Sequence, residues 1–452
     1  MILIPTYIIN LSKRTDRKMH ILEQFNDKPE FNLQIVQAVQ NEIGAIGLWK
    51  TIKHILQNLL NETDQFVLIC EDDHLFNNNY SKEILFKSIK AALANNADIL
   101  SGGVSWLNSA LQVSENIYWV EKFTGLQFTV FFRKFFSKLI AAEFEVTDVA
   151  DFKISSLTNK KFFIHPFISV QKEFGYSDVT SKNNMEGRVE NLFKESSASV
   201  QIIKTVSEYF ARREECIIED IESASFENII IPTYVVCLAE GIERIRDIKN
   251  QFFGKSEFDV NIVDANLSTT INKGFNLWPT IRKIIEMAIE NDEDAIIICQ
   301  DTHEFTPHYS KQFLLQNIIS AYQQGADLLL GGISDFGVTV PITNDRLWLG
   351  SFSGTPFLIL YKPIFSKILN ETIDETKTID DILSELTSNK MVLCPFISLQ
   401  KDLNNSSVKL ITDNREKLKA NPFIKSERRL DAIQKAYSHY SQWSQKDTIN
   451  KS

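Results

Sequence analysis

Residues 66–74 read Phe66-Val67-Leu68-Ile69-Cys70-Glu71-Asp72-Asp73-His74, a continuous apolar run that stops on three acids. A short unbroken apolar run predicts a strand buried on both faces, as in a parallel sheet covered by helices. In open α/β sheets ligands gather beyond the carboxyl ends of the strands, so the acids fall where a binding site is expected. Adjacent carboxylates repel one another, and a bound divalent cation is the natural means of keeping them ionised. The acid-x-acid spacing of Glu71 and Asp73 lets one ion face the loop while its other side holds a diphosphate. The competing reading is an exposed acidic turn that only solvates the strand end.

The same stretch recurs in altered form. Cys70-Glu71-Asp72-Asp73-His74 returns 229 residues later as Cys299-Gln300-Asp301-Thr302-His303. Ser101-Gly102-Gly103-Val104 returns as Leu330-Gly331-Gly332-Ile333, and Pro166…Lys172 as Pro395…Lys401, at the same shift. IPTYIINL at 4–11 returns as IPTYVVCL at 231–238, a shift of 227, so two residues are inserted between Ala265 and Trp278. Four co-linear matches identify a tandem duplication with domain-sized copies, too long for solenoid units. Each copy alternates apolar strands with helical stretches, which predicts an α/β fold with a largely parallel sheet. Charged, helical-looking segments at 183–228 and 404–452 close the copies, and the expected domains are 1–228 and 229–452.

Length and composition agree with this. A chain of 452 residues is long enough for two or three domains, and 44% apolar with 23% charged residues is ordinary for a globular protein. Of the residues, 32 are Phe, whereas Gly (16) and Pro (11) are sparse, which excludes low complexity. The net charge of −10 argues against nucleic acid as a partner and against a polybasic membrane arm. Five cysteines without a C-x-x-C pair exclude a disulfide framework and a zinc ribbon, and favour a reducing, cytoplasmic setting. The first residues, MILIPTYIINL, lack a basic leader and read as a buried strand; no run reaches the length of a transmembrane segment. Neither G-x-x-x-x-G-K-[ST] nor G-x-G-x-x-G occurs, which disfavours P-loop and dinucleotide chemistry.

The two copies also act as a control on each other, because a structural residue should survive in both. Glu71 becomes Gln300 and Asp73 becomes Thr302, while Asp72 and His74 persist as Asp301 and His303. His165 becomes Cys394, Asn10 becomes Cys237, Arg14 becomes Gly241, and Phe174…Asp178 becomes Leu403…Ser407. The pattern suggests one active and one degenerate copy.

The order Tyr7-Ile-Ile-Asn10-Leu11-Ser-Lys-Arg14-Thr-Asp16-Arg17, then Gly44-Ala-Ile-Gly47, then Glu71-Asp72-Asp73, resembles the family 25 glycosyltransferases. That family includes lipooligosaccharide sugar transferases and collagen galactosyltransferases. The resemblance continues through Gly125-Leu-Gln127 and Pro166…Gln171 with Ser177-Asp178, covers most of 4–182, and is weaker over 231–408. Leu48-Trp49-Lys50 departs from the Leu-Ser-His that often opens the corresponding family helix. The resemblance implies two tandem GT-A domains, a nucleotide-sugar donor (UDP-linked) and Mn²⁺ or Mg²⁺ on the acids. It places Asn10, Arg14 and Arg17 at the nucleotide, with Asp72 in the same cofactor-binding group, and Glu71 and Asp73 at the metal and diphosphate. Asp151 falls near the acceptor, a hydroxyl on a glycan or peptide.

Arg forks suit phosphate or a uracil edge, although Arg14 and Arg17 also fit a solvated helix start. Arg17 persists as Arg244, which favours packing. His165 is a candidate third metal ligand through a ring nitrogen, or else a satisfied structural histidine. Two aspartates are candidates for the acceptor-side base of an inverting transfer. Asp151 persists as Asp380 in the second copy, whereas Asp148 is replaced by Lys377. The second copy is expected to brace the first, to recognise the acceptor or to form a homodimer. A non-catalytic sugar- or nucleotide-binding protein is the alternative, followed by a phosphoryl- or nucleotidyltransferase.

Overall fold

The computed structural model describes residues 3–176, 185–214, 226–237, 242–265, 277–372, 374, 376–401 and 421–449. Ser177, Asp178, Gly241 and residues 403–407, invoked above, lie outside the described residues, as do Cys216, one of the five cysteines, and the side chain of Arg244. The chain divides into two compact units, Met1–Thr205 with Ala436–Ser452, and Val206–Lys435.

The first half opens with β1 (Ile4–Asn10), α1 (Thr15–Phe25), β2 (Phe31–Gln37), α2 (Gly44–Asn58) and β3 (Phe66–Glu71). Next come β4 (His74–Phe76), α3 (Lys82–Ala94), β5 (Ile99–Ser101), β6 (Trp106–Leu107), β7 (Ala110–Gln112), β8 (Ile117–Val120), β9 (Phe123–Thr124) and β10 (Phe128–Phe132). It closes with α4 (Arg133–Ala141), α5 (Ala150–Leu157), β11 (Lys161–Ile164), β12 (Ser169–Gln171) and α6 (Arg188–Glu214). Eight strands form one sheet in the order β2-β1-β3-β10-β5-β11-β8-β7. In it β1 runs parallel to β2 and β3, and β11 parallel to β5. By contrast β10 is antiparallel to both β3 and β5, and β8 and β7 are antiparallel additions.

The sheet is therefore mixed rather than largely parallel. Every residue of β10 is buried, so its apolar run matches a doubly covered strand of either direction. Nothing in such a pattern carries polarity.

The second half repeats the plan strand for strand. Its eight strands, from Ile231–Cys237 to Lys390–Leu393, take the same permuted order, with the equivalent of β10, Phe357–Tyr361, again antiparallel between its neighbours. Local signals are repeated as well: Ser81 caps α3 by accepting from Ile84 N–H, and Ser310 caps Lys311–Gln323 by accepting from Phe313 N–H. The result is an α/β fold in two similar halves.

The abundance of Phe has a structural reason. Phe25, Phe31, Phe76 and Phe128 enclose His74 with ring centroids between 4.2 and 6.4 Å apart. Phe252, Phe258, Phe305 and Phe357 enclose His303 in the same way. At Gly103 a Cβ would sit 2.1 Å from the Ser169 carbonyl oxygen, and at Gly332 2.0 Å from that of Ser398. Only glycine permits this approach of β12 or its equivalent to the sheet. On α6 Val200, Ile203 and Phe210 are buried, whereas Ile202 and Tyr209 are exposed. Among the described residues no helix is long and apolar enough to cross a membrane.

Candidate functional site

The parallel trio β2-β1-β3 ends at a cavity of about 1080 Å³. Register places Ile9 of β1 beside Glu71 of β3, so Asn10 and the acids emerge together at the strand ends. The walls include Lys13, Arg14 and Arg17, the start of α2 (Gly44, Gly47, Leu48), the triplet Glu71–Asp73, and Thr124, Gly125 and Asp151. At Gly47 a Cβ would lie 2.5 Å from the Val39 carbonyl oxygen, so this wall depends on glycine.

The three acids of the triplet do different work. Asp72 is buried and saturated: it accepts from Asn10 Nδ2 at 2.8 Å and Arg17 Nη1 at 3.1 Å, with Arg14 Nη1 at 3.8 Å. Asp73 shares Arg17 Nη1 at 3.4 Å, but its Oδ1 is buried without a hydrogen-bond partner. The Glu71 carboxylate, part-exposed to the cavity, has no hydrogen bond or ion pair among the described residues. Burial, followed by the charges of Asp73, Asp151 and Asp72, pushes the Glu71 carboxyl well above its ordinary range. Burial likewise raises Asp73 to about 6, with Arg17 pulling in the other direction.

Arg17 is the electrostatic centre. Its Nη2 donates to the Tyr176 carbonyl at 2.6 Å, and its guanidinium lies 4.7 Å and 4.6 Å from the ring centroids of Phe174 and Tyr176. Tyr176 in turn donates to Asp16 at 3.0 Å. Arg17 thus has a structural role as well as a place in the cavity wall, and its engagement with Asp72 explains why that acid needs no further cation.

Asp151, near the start of α5, is half-buried in the cavity wall, where its Oδ2 accepts from Gly125 N–H at 2.7 Å. Burial raises its pKa and that hydrogen bond counteracts the rise. Asp148 is not among the cavity walls: it accepts from Lys153 Nζ at 2.8 Å and from Glu145 N–H, and the Lys153 bond lowers its pKa. In the second half Lys377 stands in an equivalent turn, its N–H donating to Asp374 O as Asp148 N–H donates to Glu145 O, and it pairs with Glu385 instead.

His165 also lies apart from the triplet. Its Nε2 is 3.1 Å from Ser197 Oγ on α6, its ring packs on Tyr118 and Phe167, and burial lowers its pKa to about 4. It is neutral and structurally engaged, so the structure does not bring it to Glu71 and Asp73. Among the described residues no group of three or more His, Cys, Asp or Glu side chains is arranged to hold a metal ion.

The duplication separates scaffold from site in atomic detail. His74 Nδ1–Ser169 Oγ (2.8 Å) matches His303 Nδ1–Ser398 Oγ (2.7 Å). Tyr80–Glu30 matches Tyr309–Glu257, and buried Lys161 on Thr158 O matches Lys390 on Thr387 O. Asp151–Gly125 matches Asp380–Gly354, both glycines having positive φ (108° and 65°). The first three pairs hold the fold; the Asp151–Gly125 pair also persists in both halves, although Asp151 lines the cavity of the first. At the triplet the halves part. Gln300 Nε2 donates to Thr355 O at 3.2 Å and Thr302 Oγ1 donates to Gln300 Oε1 at 3.4 Å, a neutral pair that satisfies itself. Only the first half keeps two incompletely partnered carboxylates of raised pKa there.

No family model and no curated protein sequence matches this chain. Among solved structures, it resembles A197 from STIV with a TM-score of 0.27 and 11% identity, over 41% of this chain and 100% of that one. It resembles an apo UDP-glucose pyrophosphorylase with a TM-score of 0.26 and 9% identity, over 42% of this chain and 82% of that one. Likeness at this level carries no functional assignment.

Proposed function

We propose that the first half is a divalent-metal-dependent glycosyltransferase of GT-A type, acting on a nucleotide-diphosphate sugar, and that the second half is a degenerate copy. One observation carries the reading. Glu71 and Asp73 both line a large cavity, Glu71 with an unpartnered carboxylate and Asp73 with a buried unpartnered oxygen, both are raised in pKa chiefly by burial, and the second half has replaced both by a neutral hydrogen-bonded pair.

These residues fit a hard divalent cation such as Mn²⁺ or Mg²⁺. Oxygen donors suit it, and the buried, orphaned Asp73 Oδ1 would gain a partner. Glu71 and Asp73 would hold the ion, Asp72 being already committed to Asn10 and Arg17. When bound, such an ion supplies charge stabilisation to a departing diphosphate. Arg14 and Lys13 add positive charge to the same wall, which suits phosphate oxygens. Asp151 is the base we assign to the acceptor hydroxyl, because it faces the cavity with a raised pKa, whereas Asp148 is taken up by Lys153.

The test is nucleotide release from a panel of UDP-, GDP-, CMP- and TDP-sugars, with Mn²⁺ or Mg²⁺ and the full chain. One donor should be hydrolysed slowly, and chelation or Asp73→Asn should abolish the release. Metal-dependent binding without release would favour the non-catalytic sugar-nucleotide reading. Neither binding nor release would overturn both.

A further inference from the structure

Trp106 is a large apolar residue left 38% exposed. It follows Ser105 and pairs with Thr124 in the short β6–β9 ladder, and both neighbours line the cavity. Phe152, next to cavity-lining Asp151, meets the indole edge-to-face with ring centroids 5.9 Å apart at 81°. Lys122 Nζ lies 4.1 Å from the Phe152 ring centroid. One exposed aromatic residue on a protein surface is ordinary. An aromatic pair with an ammonium, joined to cavity-lining residues through Thr124 and Asp151, is a more specific arrangement.

The second half shows that packing does not require it. The β6–β9 ladder is rebuilt there as Asp335–Phe336 against Phe352–Ser353. Yet Trp106 has become Asp335, Phe152 has become Asp381 and Lys122 has become Ser351. Asp335 pairs with Arg429, and Asp381 closes a capping box with Thr378. All three members of the platform are thus absent from the half that also lacks the two carboxylates, while the surrounding ladder persists.

We infer that Trp106, Phe152 and Lys122 form a subsite for a pyranose ring of a glycan acceptor. The axial C–H face of a pyranose is weakly apolar and electropositive, which suits the electron-rich face of an indole. Its hydroxyls remain at the ring edge, where the Lys122 ammonium donates a hydrogen bond. A ring seated here lies beside Gly125 and Asp151, so a hydroxyl can point into the cavity. Naming this ligand the acceptor rests on the glycosyl-transfer reading; binding of a sugar to the platform does not.

Saturation-transfer NMR on the full chain, with a panel of methyl hexosides, N-acetylhexosaminides and uronides and no nucleotide, tests the subsite. At least one glycoside should receive saturation concentrated on the protons of one ring face. Trp106→Ala should reduce that signal at least about threefold, Trp106→Phe should retain much of it, and Lys122→Ala should weaken it without changing the face. Calorimetric binding of UDP with Mn²⁺ should be the same in wild type and Trp106→Ala, which keeps the two readings separable. No saturation across the panel, or saturation unaffected by Trp106→Ala, overturns the subsite even where UDP binds. Binding of a Ser/Thr-rich peptide, lost in Trp106→Ala, in place of any glycoside overturns the choice of a glycan.

Discussion

Replacing Asp73 by Asn should stabilise the metal-free protein, and the gain should grow with pH. In the folded chain the Asp73 carboxyl titrates at about 6 instead of 3.8, chiefly because it is buried. A folded-state pKa above the unfolded one means that stability is fully present below about pH 3.8 and is lost as pH rises through about 6. The full displacement corresponds to about 3 kcal/mol held against the fold at neutral pH. Asn keeps the shape and cannot ionise, so it removes this deficit. Between pH 5 and pH 8 the difference between variant and wild type should therefore widen by about 1–1.5 kcal/mol. For a domain of this size that is a relative rise in Tm of about 2–6 °C. The assay is thermal unfolding of chelator-treated protein followed by circular dichroism across this range. Adding Mn²⁺ and UDP should reverse the order, because wild type gains a ligand and the variant does not. A constant or narrowing difference in chelator would refute the reasoning, since Asp73 would then be ionised without cost.

Three further outcomes follow from the geometry. Arg17→Lys loses the fork that serves Asp72, Asp73 and the Tyr176 carbonyl, and should cost about 3 kcal/mol in denaturant unfolding while weakening nucleotide binding. His165→Ala should leave the Mn²⁺ dependence of nucleotide release unchanged, because its ring is bonded to Ser197 and stands away from the triplet; a raised Mn²⁺ requirement would restore it as a ligand. Gly103→Ala and Gly332→Ala should each destabilise their own half by about 2–3 kcal/mol, as each new methyl meets a backbone carbonyl that has no room to yield; unchanged unfolding midpoints would show that it has.

Much of the fold was legible because it is written twice. The repeated IPTY run, the Gly-Gly pairs and the Pro-Phe-Ile-Ser segments occupy equivalent strands and turns in two sheets of identical order. Strand direction was not legible, since β10 is buried on both faces and its side chains look alike from either end. At the site, the run ending at Glu71 located the strand end and the cavity. What it concealed was the division of labour among neighbouring acids. Asp72 is turned toward Asn10 and Arg17, partners 62 and 55 residues away, and only the tertiary structure shows this. The same holds for His165, whose partner Ser197 lies 32 residues further on in α6, whereas the Lys153 that takes up Asp148 is only five residues away. Trp106 and Phe152 passed unnoticed, although their replacement by Asp335 and Asp381 was visible in the repeat alignment.

The central claim, that one half of a duplicated chain keeps a metal–nucleotide site and the other has lost it, is tested most directly by calorimetric titration of the full chain with UDP in Mn²⁺. One site per chain is expected, abolished by Asp73→Asn and by chelation, and untouched by Asp301→Asn. Two equivalent sites, or a single site that survives Asp73→Asn and disappears with Asp301→Asn, would contradict the account.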